Sequence, residues 1–299
     1  MSNLMLLGQI PVLNLQLIIN GLMVGTIFAL AAYGMALVWG VMDVINVAQG
    51  ELVMIGGYLV WYLFKLGVSP LFGIPIAVVV MYFVGVALYR LVIFRIVDHD
   101  FFISILATFG LSILFQQLLN QVFGSDVRSV SYSLGSWFLF NGIVSISKIK
   151  LVAFVAALVL GGALIAFMRR SRLGQAIRAT SQNARAARIL GIDTDRVYAA
   201  TFGINAAICA AAGGLVAMTW VIQPYLGLTY TIRSFMIVIV AGLGNLLGVV
   251  FAAMGLGAAE NYAGFILGAE YQTAFVYVLL VLILVWRNLR LRRQRRYLA

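Results

Sequence analysis

Apolar runs of membrane-spanning length alternate along this chain with short polar clusters. Residues 12–39, 51–64, 71–88, 101–123, 151–168, 197–220 and 271–286 read as spanning helices. About 20 apolar residues cross a bilayer as a helix, so the 51–64 run is a short span. Two segments break the pattern. In 43–58, DVINVAQGELVMIGGY, the polar Asp43, Asn46, Gln49 and Glu51 adjoin apolar runs, and Gly50, Gly56 and Gly57 loosen the backbone. These residues form either a short surface loop or a break facing the bundle interior. Polar groups at membrane depth are costly unless they pair or line a cavity, which favours the interior. In 234–259, residues 234–241 make only half a span, and GLGN at 242–245 interrupts the run before 246–259.

Small residues mark where helices approach closely. Gly21 and Gly25 in the first run, and Gly244 and Gly248 in the last broken one, are spaced as GxxxG pairs. The 197–220 run holds Ala206, Ala207, Ala210, Ala211, Ala212, Gly213 and Gly214, a face suited to helix packing rather than lipid. The 124–150 loop is the longest on the outer side, and its Leu134, Trp137, Phe138, Leu139 and Phe140 look interfacial.

The longest polar stretch is 169–196, RRSRLGQAIRATSQNARAARILGIDTDR. Its composition favours one or two short helices, with Leu173, Ile177, Ala184, Ala187 and Leu190 forming a modest apolar stripe. Gly191 is the expected stop, and Asp193 or Asp195 the expected start of the next helix. Seven arginines against two aspartates give this loop a charge of +5, and six arginines give the 287–299 tail +6. Together they supply the whole net charge of +11. Positive loops stay on the cytoplasmic side, so both segments lie inside, as do Arg90 and Arg95. Parity then makes 234–259 a re-entrant pair and leaves the N-terminus outside.

Composition agrees. Hydrophobic residues fill 64% of 299 positions and charged ones 10%, against roughly half and a quarter in soluble domains. The basic charge therefore belongs to membrane topology rather than nucleic-acid binding, and the tail faces anionic lipid headgroups. The first apolar run has no preceding Lys or Arg, unlike a cleaved signal peptide, and is expected to stay as a helix. One cysteine (Cys209) and one histidine (His99) leave no triad, disulfide or metal set, and His99 is expected in a solvated loop. None of Lys65, Lys148 and Lys150 follows a glycine, so no P-loop is present, and if transport is ATP-driven another subunit must supply the ATPase. Asp43, Glu51 and Glu260 are the carboxylates an ion-coupled carrier would use. All three sit near breaks rather than mid-span, which weakens that alternative. A purely structural scaffold is disfavoured by the polar breaks and small-residue helices.

INVAQGELVMIGGY, GQAIRATSQNARAARILGI and IVAGLGNLLGVVFAAMGLG resemble, in order and spacing, motifs of the membrane subunits of bacterial branched-chain amino acid ABC importers. The likeness covers nearly the whole chain. Gly57 stands where Ala is commoner, and Ala241 where the first of two glycines is usual. The resemblance implies an importer of Leu, Ile or Val in the bacterial inner membrane. It also implies a second permease subunit of the LivM type, two cytoplasmic ATPase subunits and a periplasmic binding protein, with no cofactor in this chain. Urea, short amides or other amino acids are alternative substrates of similar permeases. It maps an ATPase-coupling loop onto Arg172, Gly174, Arg178, Ala179, Ala187, Gly191 and Ile192. Half-helix ends suit a zwitterionic head, so the translocation path is expected at Asn46, Gln49, Gly50 and Glu51 in the first break, and at Gly242, Gly244 and Asn245 in the second.

The expected fold is an all-α integral membrane protein: a polytopic helical bundle of about 7–8 transmembrane helices with broken or re-entrant segments near 43–58 and 234–259. It forms a single transmembrane permease domain over 1–299.

Overall fold

The structure, a computed structural model, describes residues 11–97, 101–132, 135–139 and 144–296. His99, Leu134, Phe140 and the last three residues of the basic tail lie outside the described residues. Helices α1 (Pro11–Met42), α2 (Gln49–Lys65), α3 (Pro70–Leu91), α4 (Phe101–Phe123) and α5 (Lys148–Arg170) make the first half. Two short helices, α6 (Arg172–Gln182) and α7 (Ala184–Ile189), fill the arginine loop. Helices α8 (Thr194–Thr219), α9 (Gly227–Ala241), α10 (Leu246–Leu267) and α11 (Gln272–Arg296) complete the bundle. Eight helical segments among the described residues are long and apolar enough to cross a membrane. Helix α2, at 17 residues, is shorter and is not one of these eight.

Helices α1 and α8 form the centre, and small residues let their neighbours close in. A Cβ on Gly21 would lie 2.5 Å from the Ala258 Cα, and one on Gly25 2.7 Å from the Met254 Cα, so the first GxxxG pair seats α1 on α10. The second pair does different work. Gly244 has φ +80° and open space around it, so it shapes a turn rather than a helix contact.

The two ends of the bundle differ. Val38 and Met42 of α1, Tyr89 and Ile93 at the end of α3, and Tyr198 and Phe202 of α8 form one apolar cluster. Arg90, Arg95 and the arginine loop belong to this end. Arg287 joins them by donating to the Ile239 carbonyl at 2.7 Å. At the other end Arg128 and Ile222 exchange backbone bonds of 2.9 and 2.8 Å. There a hairpin that the sequence reading did not include, β1 (Ser136–Leu139) with β2 (Val144–Ser147), pairs Trp137 with Ile146. Its strands are too short for alternation to stand out from the surrounding serines and aromatics.

Segment 234–259 breaks where expected, but its arms are longer than the half-span read from the sequence. Helix α9 begins at Gly227, because Arg233 and the threonines that masked its first turns are accommodated inside the bundle. With α10 at 22 residues, the GLGN turn sits at the arginine end, beside Arg169 and Arg178. Parity is then met by α8, α9, α10 and α11 in succession.

Candidate translocation and docking sites

The first break is a sealed polar cluster. Helix α1 stops at Met42, Asp43 takes φ +54°, and residues 43–48 run non-helically back into the bundle until α2 starts at Gln49. Asn46, Gln49 and Glu51 are at most 1% exposed. Buried backbone and side-chain dipoles need partners, and four helices supply most of them. The Gln49 Nε2 donates to the Ala31 carbonyl at 2.9 Å and to the Asn205 Oδ1 of α8 at 2.8 Å. The Asn46 Nδ2 donates to the Gln49 Oε1 at 3.2 Å. The Gly50 N–H donates to the Thr231 Oγ1 of α9 at 2.8 Å, and that hydroxyl donates to the Val47 carbonyl at 2.9 Å.

Sequence reasoning missed the fourth supplier. On α4, Ser104, Thr108, Ser112 and Gln116 recur every fourth residue, a polar stripe down an otherwise apolar helix. Thr108 accepts from the Val47 N–H at 3.2 Å, while Ser112 and Gln116 donate to the Glu51 Oε1 at 3.2 and 2.8 Å. The Glu51 carboxylate also lies against Gly227, the first residue of α9. The start of α9 thus closes over the buried acid, whose Oε2 has no hydrogen-bond partner among the described residues.

The second expected group of path residues sits elsewhere. Gly242 and Gly244 have φ +82° and +80°. The Asn245 Oδ1 accepts from the Gly248 N–H at 2.9 Å and caps α10. Gly244 and Asn245 line a cavity of about 360 Å³ with Gly40, Val41, Arg169 and Arg178. The structure therefore does not bring the two breaks together: one is buried at the centre, the other opens at the arginine end.

The arginine loop is clamped at its base and bare at its tip. Ser171 caps α6 through the Gly174 N–H at 2.8 Å. A Cβ on Gly174 would lie 2.7 Å from the Met168 Cα, so glycine lets α6 fold back on α5. Arg178 reaches the Met168 and Arg169 carbonyls and occupies the open end of α5. Ile177 and Ala187 are buried; Arg172 is exposed and Ala179 and Ile192 are half-buried. Asn183 divides α6 from α7, Gly191 turns at φ +85°, and Asp193 caps α8, so both expected boundaries hold. Leu190 departs from the expected apolar stripe. It is 81% exposed and Ile189 80%, because α7 ends before its last turn can swing them inward.

A charge pair absent from the sequence reading joins α9 to α10. The Arg233 Nε donates to both Glu260 carboxylate oxygens, at 3.1 and 3.2 Å, and its Nη2 bonds Oε1 as well. Glu260 is 1% exposed and the Arg233 side chain 13%. Arg233 also stands 4.9 Å over the Phe28 ring. The available signal was an arginine inside the apolar run TIRSFMIVIV.

A polytopic bundle with a sealed polar centre, cavities near both ends and an exposed basic loop is the build of a membrane transport permease. The family model described as branched-chain amino acid transport system, permease component, matches residues 17–284, and the chain belongs to that family. The high-affinity branched-chain amino acid permease LivH of Salmonella typhimurium is 32% identical over 285 residues, covering 91% of this chain and 92% of LivH. BraD of Pseudomonas aeruginosa is 30% identical over 288 residues, covering 91% and 94%. A probable LivH of Methanocaldococcus jannaschii is 28% identical over 282 residues, covering 90% and 86%. No solved structure matches the chain.

Proposed function

We propose that this chain is the permease subunit of an ATP-binding cassette importer that carries Leu, Ile or Val across the bacterial inner membrane. The whole chain acts as one transmembrane domain. Hydrolysis belongs to two separate cytoplasmic ATPase subunits, since the sequence has no P-loop. A LivM-type second permease completes the membrane part, and a periplasmic binding protein delivers the substrate. The basic tail from Arg287 meets anionic lipid headgroups on the inner face.

The observation that supports the coupling role is the bare apolar tip of the loop. Ile189 and Leu190 project from a base that Ser171, Gly174 and Arg178 hold rigid against α5. An exposed apolar pair on a held arm suits a partner contact, able to transmit a push from an ATPase to the bundle. Arg172, Ala179, Ala187, Gly191 and Ile192 shape and present this arm. The test is a pull-down of tagged chain from gently solubilised membranes. Wild type is expected to bring an ATPase and a second permease. The double variant Ile189→Glu, Leu190→Glu is expected to keep the permease and lose the ATPase. A wild-type chain that emerges alone would remove the importer reading.

The path residues give a second test. Gln49→Ala removes the donor shared by Ala31 and Asn205, and Asn245→Ala removes the cap of α10, about 1 kcal/mol each. Both are expected to lower leucine uptake in cells while the complex still co-purifies. Normal uptake in both variants would place the path away from Asn46, Gln49, Gly50 and Glu51, and from Gly242, Gly244 and Asn245.

A further inference from the structure

At the end opposite the arginine loop, α1, α5, α9 and α10 surround a cavity of about 510 Å³. Small-molecule sites occupy roughly 300–1,000 Å³. Its walls combine an apolar surface with charge. Phe28 and Trp220 stack with their rings 6.1 Å apart, and Val24 lies a turn from Phe28. Arg233, Glu260 and Lys150 supply the charges.

Arg233 engages Glu260 through Nε and Nη2, and Nη1 takes no part in that pairing. Lys150 makes no ion pair among the described residues. The lining therefore carries one cation more than it balances. A carboxylate has about four acceptor positions, so Glu260 can hold Arg233 and still accept from an ammonium. Charges are kept at membrane depth where they line a route or hold a ligand. On α1 the lining residues Asn20, Val24 and Phe28 follow helical spacing, and Ala31, whose carbonyl holds Gln49, continues the same face. The cavity thus ends one turn from the sealed polar cluster.

We infer that this cavity is a binding site for an amino acid zwitterion. The ligand carboxylate lies between Lys150 and the Arg233 Nη1, its ammonium meets Glu260, and its aliphatic side chain rests on Phe28 and Trp220. The choice of a branched-chain ligand rests on the importer reading above; the recognition of a zwitterion rests on the cavity.

The test uses the assembled transporter in nanodiscs without ATP and a photoreactive leucine whose side chain carries a diazirine. Cross-links are expected on the peptides that hold Val24 to Phe28 and Trp220. Excess leucine is expected to compete, and leucine amide, which has no carboxylate, is not. Lys150→Met is expected to lower labelling about tenfold, the size of one hydrogen bond to a charged group. Asn20→Trp, which fills the space while both members of the ion pair are kept, is expected to abolish it. Co-purification of all subunits shows that each variant is assembled. ATP hydrolysis stimulated by leucine-loaded binding protein reports the importer reading separately. Stimulated hydrolysis with labelling elsewhere, or labelling that Lys150→Met and Asn20→Trp leave unchanged, overturns the cavity assignment alone. Cavity labelling without leucine-stimulated hydrolysis keeps the site and removes the leucine importer.

Discussion

Gly213→Leu is expected to abolish recovery of folded protein, while Gly255→Leu leaves it unchanged. Helices α2 and α8 meet backbone to backbone. A Cβ on Gly213 would run into the Val53 carbonyl and lie 2.6 Å from the Gly57 nitrogen. From the other side, a Cβ on Gly57 would lie 3.0 Å from the Gly213 oxygen. Neither backbone can move without disturbing the hydrogen bonds that start α2 at Gln49 and Gly50. Ordinary overpacking costs about 1–3 kcal/mol because side chains can shift; a leucine against two backbones exceeds that range. Gly255 has open space around its Cβ position. Fluorescence-detected size exclusion of tagged variants checks both. A monodisperse Gly213→Leu peak with an unchanged melting point would mean that α2 and α8 are not in backbone contact.

The second large effect lies in the charge pair. Glu260→Ala is expected to destabilise the chain by about 3–5 kcal/mol, because it leaves Arg233 buried without its partner. Arg233→Met should cost a similar amount by stranding Glu260. The double variant Arg233→Met, Glu260→Met is expected to recover most of the loss, since replacing both charges by apolar groups removes the desolvation cost as well as the attraction. Thermal melts of the four proteins in detergent close the cycle. Strict additivity of the two single losses would show that the pair does not form. Recovery of stability without recovery of photoreactive leucine labelling would separate what the pair does for the fold from what it does for the ligand.

What the sequence shows and what it hides follow from how far each signal reaches. The spans were legible because bilayer crossing is a property of one continuous run. Gly191 and Asp193 were legible because caps act within a turn. The first break was legible as an expense: Asn46, Gln49 and Glu51 had to be compensated somewhere. Where was not legible, because the compensators on α4, α8 and α9 are remote in sequence. The every-fourth-residue stripe from Ser104 to Gln116 was visible in principle, but it is made of small polar residues that a hydropathy pattern absorbs. Arg233 instead looked like the end of an apolar run, because its partner Glu260 lies 27 residues away. The length of α9 was misjudged because polar residues that end a lipid-facing run need not end a helix inside a bundle. Of the two departures from the usual motif, Gly57 is explained by its close approach to Gly213. Ala241 ends α9 without a positive φ, so it does not need to be glycine.

The start of α2 also sets an order of events during biosynthesis. Its backbone and side chains are met by partners 61 to 184 residues further along the chain. A ribosome that has delivered α1 and α2 into the membrane has not yet made Thr108, Asn205 or Thr231. Until they arrive, residues 43–51 carry unmet donors and acceptors that hydrocarbon cannot satisfy. The nascent segment must therefore wait in a wet place, at the interface or within the insertion machinery, and enter its final depth only after α9 is in the bilayer. Contacts between residues so far apart in sequence are generally slow to form. A chain truncated before residue 231 would hold helices that have crossed but not locked, because Thr231 would be missing from the start of α2.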